Sequence, residues 1–334
     1  METDAAMVKV KLTLMDLSTY ENQREEELND ILDLAFAKHS CYEAVDWLQW
    51  GESAPCCKSQ LRKDVERFVR NNDKLLALGS LLLKNCAFFS KCHMRTENSQ
   101  EKCSSSDMPS SNILVRLPRT DHRKPFLPTP TNFSTDSGDF SISHQFPYVG
   151  SAQRIDACSV SPVMVGCDIV VRESLNTQLY ENWNEFLAVF EGSFATNEWE
   201  IIQRAKSSQA RLNEFFLRWA VKEAYTKALG VGMALDFASF SIHFPSCDPY
   251  GGCISEFLAS GDEMDTTKTQ SMRGQVNFLG VAPAESSETW DFHFAVSGKI
   301  PLSWTCVAIG PVSRKMVCMV EIQRTTLVRL LSSV

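Results

Sequence analysis

At 334 residues the chain is longer than one typical domain and predicts two modest domains of roughly 100–200 residues each. Its net charge of −8 excludes a general nucleic-acid binder, which needs a basic surface, and no run of about 18 apolar residues is present to span a membrane. The twelve cysteines are scattered with no C-x-x-C pair, and the start METDAAMVKVKLTLMDL carries no export signal, so reduced thiols, no cysteine-bound metal and a cytoplasmic location are expected.

In chain order, VKVKLTLM (8–15) alternates apolar and polar residues with the period of a half-buried strand. REEELNDILDLAFAKH (24–39) predicts an acidic amphipathic helix, and 60–83 one or two more, with Leu61, Val65, Phe68 and Val69 at helical spacing. Residues 93–111 are polar and serine-rich, too poor in apolar groups to offset ordering, and predict a disordered loop. A strand is expected at NILVRL (112–117), with short extended pieces at FSISH and PYVG after the turn-rich PRTDHRKP.

The strand VMVGCDIVV (163–171) opens a second unit, followed by helices near 177–190, 196–206 and 209–229. Strands are expected near 238–243, 274–279, 290–296, 303–309 and 316–322, with a polar insertion at 259–273. The expected organisation is an N-terminal subdomain over 1–155, a second over 156–322, and a tail at 323–334. Because helices and strands do not alternate regularly, the fold class is α+β rather than a doubly wound sheet.

Common nucleotide motifs are missing, and Gly230 and Gly232 follow a helix, where a C-cap is the natural role. Asp168 is a carboxylate in an apolar strand and must be solvated at the strand end, paired, or bound to a cation. Glu223 and Lys227 share one helix face beside the apolar stripe Ala220, Ala224 and Ala228. Alone they are an ordinary i,i+4 surface pair of about 0.2–0.5 kcal/mol. With Asp168 they also have the composition of a site in which two carboxylates hold Mg²⁺ and a lysine meets phosphate. Taken alone, the PRTDHRKP turn reads as a solvated loop ahead of an anion site, and His144 as a core or loop histidine ahead of a ligand contact.

RTDHRKP (119–125), FSISHQ (140–145), VGCDIV (165–170) and FFLRWAVKEAYTKALGVG (215–232) together resemble the successive motifs of the large monomeric 4′-phosphopantetheinyl transferases, which activate fatty-acid, polyketide and peptide synthases. The resemblance implies a pseudo-twofold pair of similar α+β subdomains, with coenzyme A in the cleft between them. It also implies Mg²⁺-dependent transfer of phosphopantetheine to a serine of apo acyl carrier proteins or carrier domains, including those of aminoadipate-reductase type, by a monomer. By this resemblance Asp168 and Glu223 are the magnesium ligands, Glu223 is also the base, and Lys227 is the catalytic phosphate contact. Arg119, Thr120, Arg123, Lys124, Ser143, His144 and Lys222 would bind the coenzyme together with Lys227. Val170 stands where many bacterial members have a third acid, and Ser141 replaces the usual asparagine. Near the expected upstream arginine, Arg62 and Arg67 flank Asp64. The alternative is a non-catalytic coenzyme A or carrier-protein binding module of the same fold.

Overall fold

The computed structural model describes residues 6–37, 40–43, 58–98, 113–128, 139–156, 163–172, 182–260, 266–280, 288–299 and 302–333. It divides into two compact units. One comprises Met1–Lys9 with Cys158–Glu321, the other Val10–Ala157 with Ile322–Val334.

The alternation of the first strand is realised in β1 (Met7–Asp16), which belongs to the second of these from Val10 on, with Val8, Val10, Leu12 and Leu14 buried and the intervening residues not. Helices α1 (Glu25–Ala37), α2 (Lys58–Glu66) and α3 (Asn71–Asn98) follow. The helix α3 extends through residues 93–98, which the sequence assigns to a loop. Extending an existing helix costs far less than nucleating one, and Met94, Arg95 and Glu97 are adequate helix formers. The remainder of that expected loop, 99–111, lies outside the described residues.

The parallel pair β2 (Ser40–Glu43) and β3 (Ile113–Arg116) stands apart from the main sheet. Strands β4 (Phe140–Gln145) and β5 (Tyr148–Arg154) form a hairpin, and β5 also pairs antiparallel with β1. The sheet order is β11-β1-β5-β4, where β11 is Val317–Thr325. The core joins Leu28, Leu32 and Phe36 of α1 to Leu75, Leu78 and Leu82 of α3 and to Val149 of β5. Leu327 and Leu330 also enter it, from a helix (Leu327–Ser333) in what the sequence leaves as a tail.

The other unit contains β6 (Met164–Val171), the helices α4 (Trp183–Ala188), α5 (Thr196–Arg204) and α6 (Ser208–Leu229), the strand β7 (Phe240–His243) and the helix α7 (Ile254–Ala259). Strands β8 (Gln270–Phe278), β9 (Glu288–Lys299) and β10 (Leu302–Gly310) complete it; the expected insertion 259–273 starts at the last residue of α7 and runs into the start of β8, with 261–265 outside the described residues. The five strands run antiparallel in the order β6-β10-β9-β8-β7, and α6 lies across one face. Tyr225 of α6 meets Trp290 and Phe240 of the sheet, with ring centroids 4.9 and 5.2 Å away. Phe215 is buried and Phe216 and Trp219 pack against the core, the structural role their spacing favours. Both units are therefore mixed α and β, and no helix among the described residues is long and apolar enough to cross a membrane.

Candidate active site

The helix α6 is closed at both ends by its own sequence. Ser207 accepts a hydrogen bond from the Ala210 amide at 3.1 Å, and Gly230 ends the helix in the left-handed conformation with φ of 78°. The Val231 amide then donates to the Thr226 carbonyl at 3.2 Å. Gly230 thus serves as the expected C-cap.

One side of α6 carries Glu214, Arg218 and Lys222 at successive i,i+4 positions, all buried. Arg218 donates to Glu214 Oε1 at 2.7 Å and to the Gly252 carbonyl at 2.7 Å. Lys222 is wholly enclosed. Its Nζ lies 2.7 Å from Glu198 Oε2 of α5, an ion pair rather than an aligned hydrogen bond, and donates to the carbonyls of Phe237 and Phe240. Glu198 Oε1 accepts from the Ile242 amide at 3.0 Å and Glu214 Oε2 from the Ser255 amide at 2.8 Å. Such a ladder offsets its desolvation cost only because each charge is paired and hydrogen-bonded. It fixes the helix against three neighbouring segments. Lys222, expected among the coenzyme contacts, is not brought to them. Its ammonium is spent in the core.

The adjacent face of α6 carries Glu223 and Lys227. Lys227 Nζ donates to Asp168 Oδ1 of β6 at 2.6 Å and lies 4.0 Å from Glu223 Oε2. Asp168 is buried, and Glu223 and Lys227 are partly exposed. Burial pushes the Glu223 carboxyl above the ordinary carboxylate value, with Asp168 adding to the rise and Lys227 opposing it. Burial pulls the Lys227 ammonium down, but the Asp168 charge and hydrogen bond and the Glu223 charge more than offset it, leaving its pKa raised. Two like carboxylates held beside one cation form a set of hard oxygen donors that suits a divalent ion. Among the described residues no group of three or more His, Cys, Asp or Glu could hold a metal, so phosphate or water oxygens would have to complete a shell built here.

The remaining expected residues lie in the other unit. Residues 119–125 close a tight turn in which the Thr120 amide donates to the Lys124 carbonyl at 2.9 Å. The Lys124 amide returns to Thr120 Oγ1 at 3.1 Å, so Thr120 serves the turn itself. Arg123, at φ of 65°, occupies a backbone region that a non-glycine residue seldom adopts. Burial, then the neighbouring Arg116, Arg67 and Arg123 charges, pulls the Arg119 guanidinium down against the opposing Asp64. Burial brings the Lys124 ammonium down to about 8, with Asp139 acting the other way. Ser143 is buried on β4, while His144 beside it is exposed and meets Ser80 Oγ of α3 through Nδ1 at 3.2 Å.

Sequence reasoning missed Lys84, on α3. Burial, then the Arg119 charge, brings its ammonium down to about 8, with Asp64 opposing and Arg67 adding to the fall. The available signal was its isolation, because Lys84 is the one charge in LLALGSLLLKNCAFFS (75–90). Of the two flanking arginines, Arg62 is committed to Asp33 at 2.8 Å and Glu66 at 2.6 Å, whereas Arg67 joins the field around Arg119. Like-charged cations gathered this closely oppose one another and favour an anionic ligand.

A family model of the 4′-phosphopantetheinyl transferase superfamily matches residues 164–259, from β6 through α7, which contain Asp168, Glu223 and Lys227. Residues 164–259 are therefore similar to a 4′-phosphopantetheinyl transferase superfamily domain. Relatives of the same kind extend the match. The chain is 26% identical over 196 residues to the L-aminoadipate-semialdehyde dehydrogenase-phosphopantetheinyl transferase of Xenopus laevis, covering 59% of this chain and 56% of the relative. It is 30% identical over 172 residues to the Homo sapiens protein of that name, covering 50% and 53%. It is 29% identical over 136 residues to the 4′-phosphopantetheinyl transferase gsp of Aneurinibacillus migulanus, covering 41% and 46%. The chain thus spans about half the length of the curated relatives it matches. The resemblance carried by the motifs is to this family, and the transferase domain includes the strand and helix that join Asp168 to Lys227.

Proposed function

We propose that this chain is a holo-acyl-carrier-protein synthase, transferring 4′-phosphopantetheine from coenzyme A to a serine of apo carrier proteins and releasing 3′,5′-adenosine bisphosphate. The observation that carries the proposal is the convergence of Asp168, Glu223 and Lys227 within the superfamily domain. The serine oxygen attacks the β-phosphorus of coenzyme A. An O–P bond forms, the bond from that phosphorus to the bridging oxygen breaks, and the bisphosphate leaves with the electron pair.

Asp168 and Glu223 fit Mg²⁺ as its two protein ligands. When bound there, the ion would draw off charge developing on the diphosphate. Glu223 would accept the serine proton, a role supported by burial pushing its carboxyl up, which suits a base working near neutral pH. Lys227 holds a fixed positive charge for a phosphate oxygen. The cations Arg119, Arg123 and Lys124, with the newly placed Lys84, are proposed contacts for coenzyme phosphates, as are Ser143 and His144. Lys222 is left out of that set.

The expected pair of similar α+β subdomains belongs to this proposal, supported by the presence of both helices and antiparallel strand pairs in each unit. So do a monomeric, cytosolic enzyme and carrier substrates of fatty-acid, polyketide, peptide-synthase or aminoadipate-reductase type. Two of the relatives are named for the aminoadipate-semialdehyde dehydrogenase. The test is intact-mass analysis of an apo carrier domain after incubation with the chain, coenzyme A and Mg²⁺. A gain of one phosphopantetheine is expected. Coenzyme A binding with no gain on any carrier class would favour the binding-module alternative.

A further inference from the structure

Gly166 lies two residues before Asp168 on β6, so both face α6. An added Cβ at Gly166 would stand 1.8 Å from the Ala224 carbonyl oxygen and 2.6 Å from the Ala228 amide nitrogen. Ala224 and Ala228 are the residues immediately after Glu223 and Lys227. The clash is with helix backbone, so no rotamer change relieves it. The paired residue on β10 is Ala308, and Cys306 pairs with Asp168, so the seat under the helix is small on both strands.

We propose that Gly166 is a positioning residue, setting how closely α6 approaches β6 and thereby the spacing of Glu223 and Lys227 from Asp168. The metal part of this inference rests on the proposed roles of Asp168 and Glu223, whereas the spacing itself does not. A side chain at 166 must drive the helix off the strand by on the order of 1.5 Å to restore ordinary contact. Misplacement of about 1 Å at a reacting centre costs on the order of 100-fold in rate. A longer carboxylate at position 168 should then regain part of the reach.

Gly274 supplies the control. It is also tightly packed in the same sheet, but less so than Gly166 and against side chains, an added Cβ standing 2.8 Å from Phe292, 2.9 Å from Phe244 and 3.0 Å from Ile242. The experiment compares Gly166→Ala, Gly274→Ala and Gly166→Ala/Asp168→Glu by three readouts. These are urea unfolding, Mn²⁺ binding by electron paramagnetic resonance, and the Asp168–Lys227 coupling from a double-mutant cycle with Asp168→Asn and Lys227→Met.

In Gly166→Ala the coupling should vanish and Mn²⁺ affinity fall at least tenfold, with partial recovery in the double variant. Gly274→Ala should lose stability yet keep both within twofold. Retained coupling in Gly166→Ala, or equal loss in Gly274→Ala, overturns the proposal. Should Gly166→Ala not fold, Asp168→Glu in the native background decides. The close helix should leave its extra methylene misplaced and weaken coupling, and undiminished coupling overturns the proposal. Failure of the wild type to load carriers would sink the functional reading while leaving the coupling result intact.

Discussion

Lys227 donates to Asp168 across 2.6 Å, joining two residues 59 positions apart and tying a helix to a strand beneath it. What reads along the helix as a surface pair with Glu223 is, in the fold, the weaker of two contacts made by Lys227, at 4.0 Å. The stronger partner comes from β6. The proposed chemistry rests on that triad.

Replacing either carboxylate should abolish transfer without unfolding the chain. Asp168→Asn and Glu223→Gln are expected to reduce the rate of carrier loading by on the order of 10²–10⁴. Both should keep the wild-type circular dichroism spectrum, because the amides preserve volume. Rates from intact-mass time courses and a melting curve check this together.

The two neighbouring lysines of α6 should behave oppositely. Lys222→Met leaves Glu198 charged and buried with its nearer cation gone and only Arg218 at 3.7 Å, and breaking a buried pair costs roughly 3–5 kcal/mol, so urea unfolding should show a large loss of stability. Lys227→Met, at a partly exposed position, should fold well and fail in turnover. Equal stability losses in the two variants would contradict the division of roles.

As proposed contacts for coenzyme phosphates, Lys84 and Lys124 should set a basic limit on coenzyme binding. Both ammonium groups are held down to about 8, so they are charged below that pH and lose charge as pH rises through it. The value of kcat/KM for coenzyme A should therefore fall above about pH 8, by about tenfold per unit for each cation that matters. Lys84→Arg, charged throughout, should make the fall shallower. Stability should move the other way. Lys84→Met should be more stable than wild type at pH 7 by on the order of 1–3 kcal/mol, and this advantage should fade as pH rises from about 8 towards the unfolded lysine value.

The C-terminal helix should prove part of a core. Leu327 and Leu330 are buried among the leucines of α1 and α3, each contributing roughly 1.5–3 kcal/mol. Leu327→Asp/Leu330→Asp should lower the urea midpoint sharply, whereas Val328→Asp, at an exposed position, should leave it unchanged.

The legible parts of the fold were those with local periodicity. The alternation in β1 and the helical spacing of α1 and α6 each report burial of one face, and the glycine after α6 reports its end. The α+β class followed from the order of such segments. Asp168 was legible as an odd charge in an apolar strand and Lys227 as the helix-face partner of Glu223, but the direct pairing of Asp168 with Lys227 was not, because strand register and helix placement are tertiary facts. Lys222 misled for the same reason. One residue along a helix turns a side chain by about 100°, from the Glu223 face into the ladder of Glu214 and Arg218. Lys84 was hidden by its apolar surroundings, which are themselves the reason its ammonium is perturbed.

The most direct test is a single-turnover assay that follows both products, loaded carrier and 3′,5′-adenosine bisphosphate, for wild type and Glu223→Gln with coenzyme A and Mg²⁺. The account predicts one bisphosphate released for each phosphopantetheine transferred by wild type, and both products formed more slowly by the variant by on the order of 10²–10⁴. Equal product formation by Glu223→Gln, or loaded carrier without bisphosphate, would contradict it.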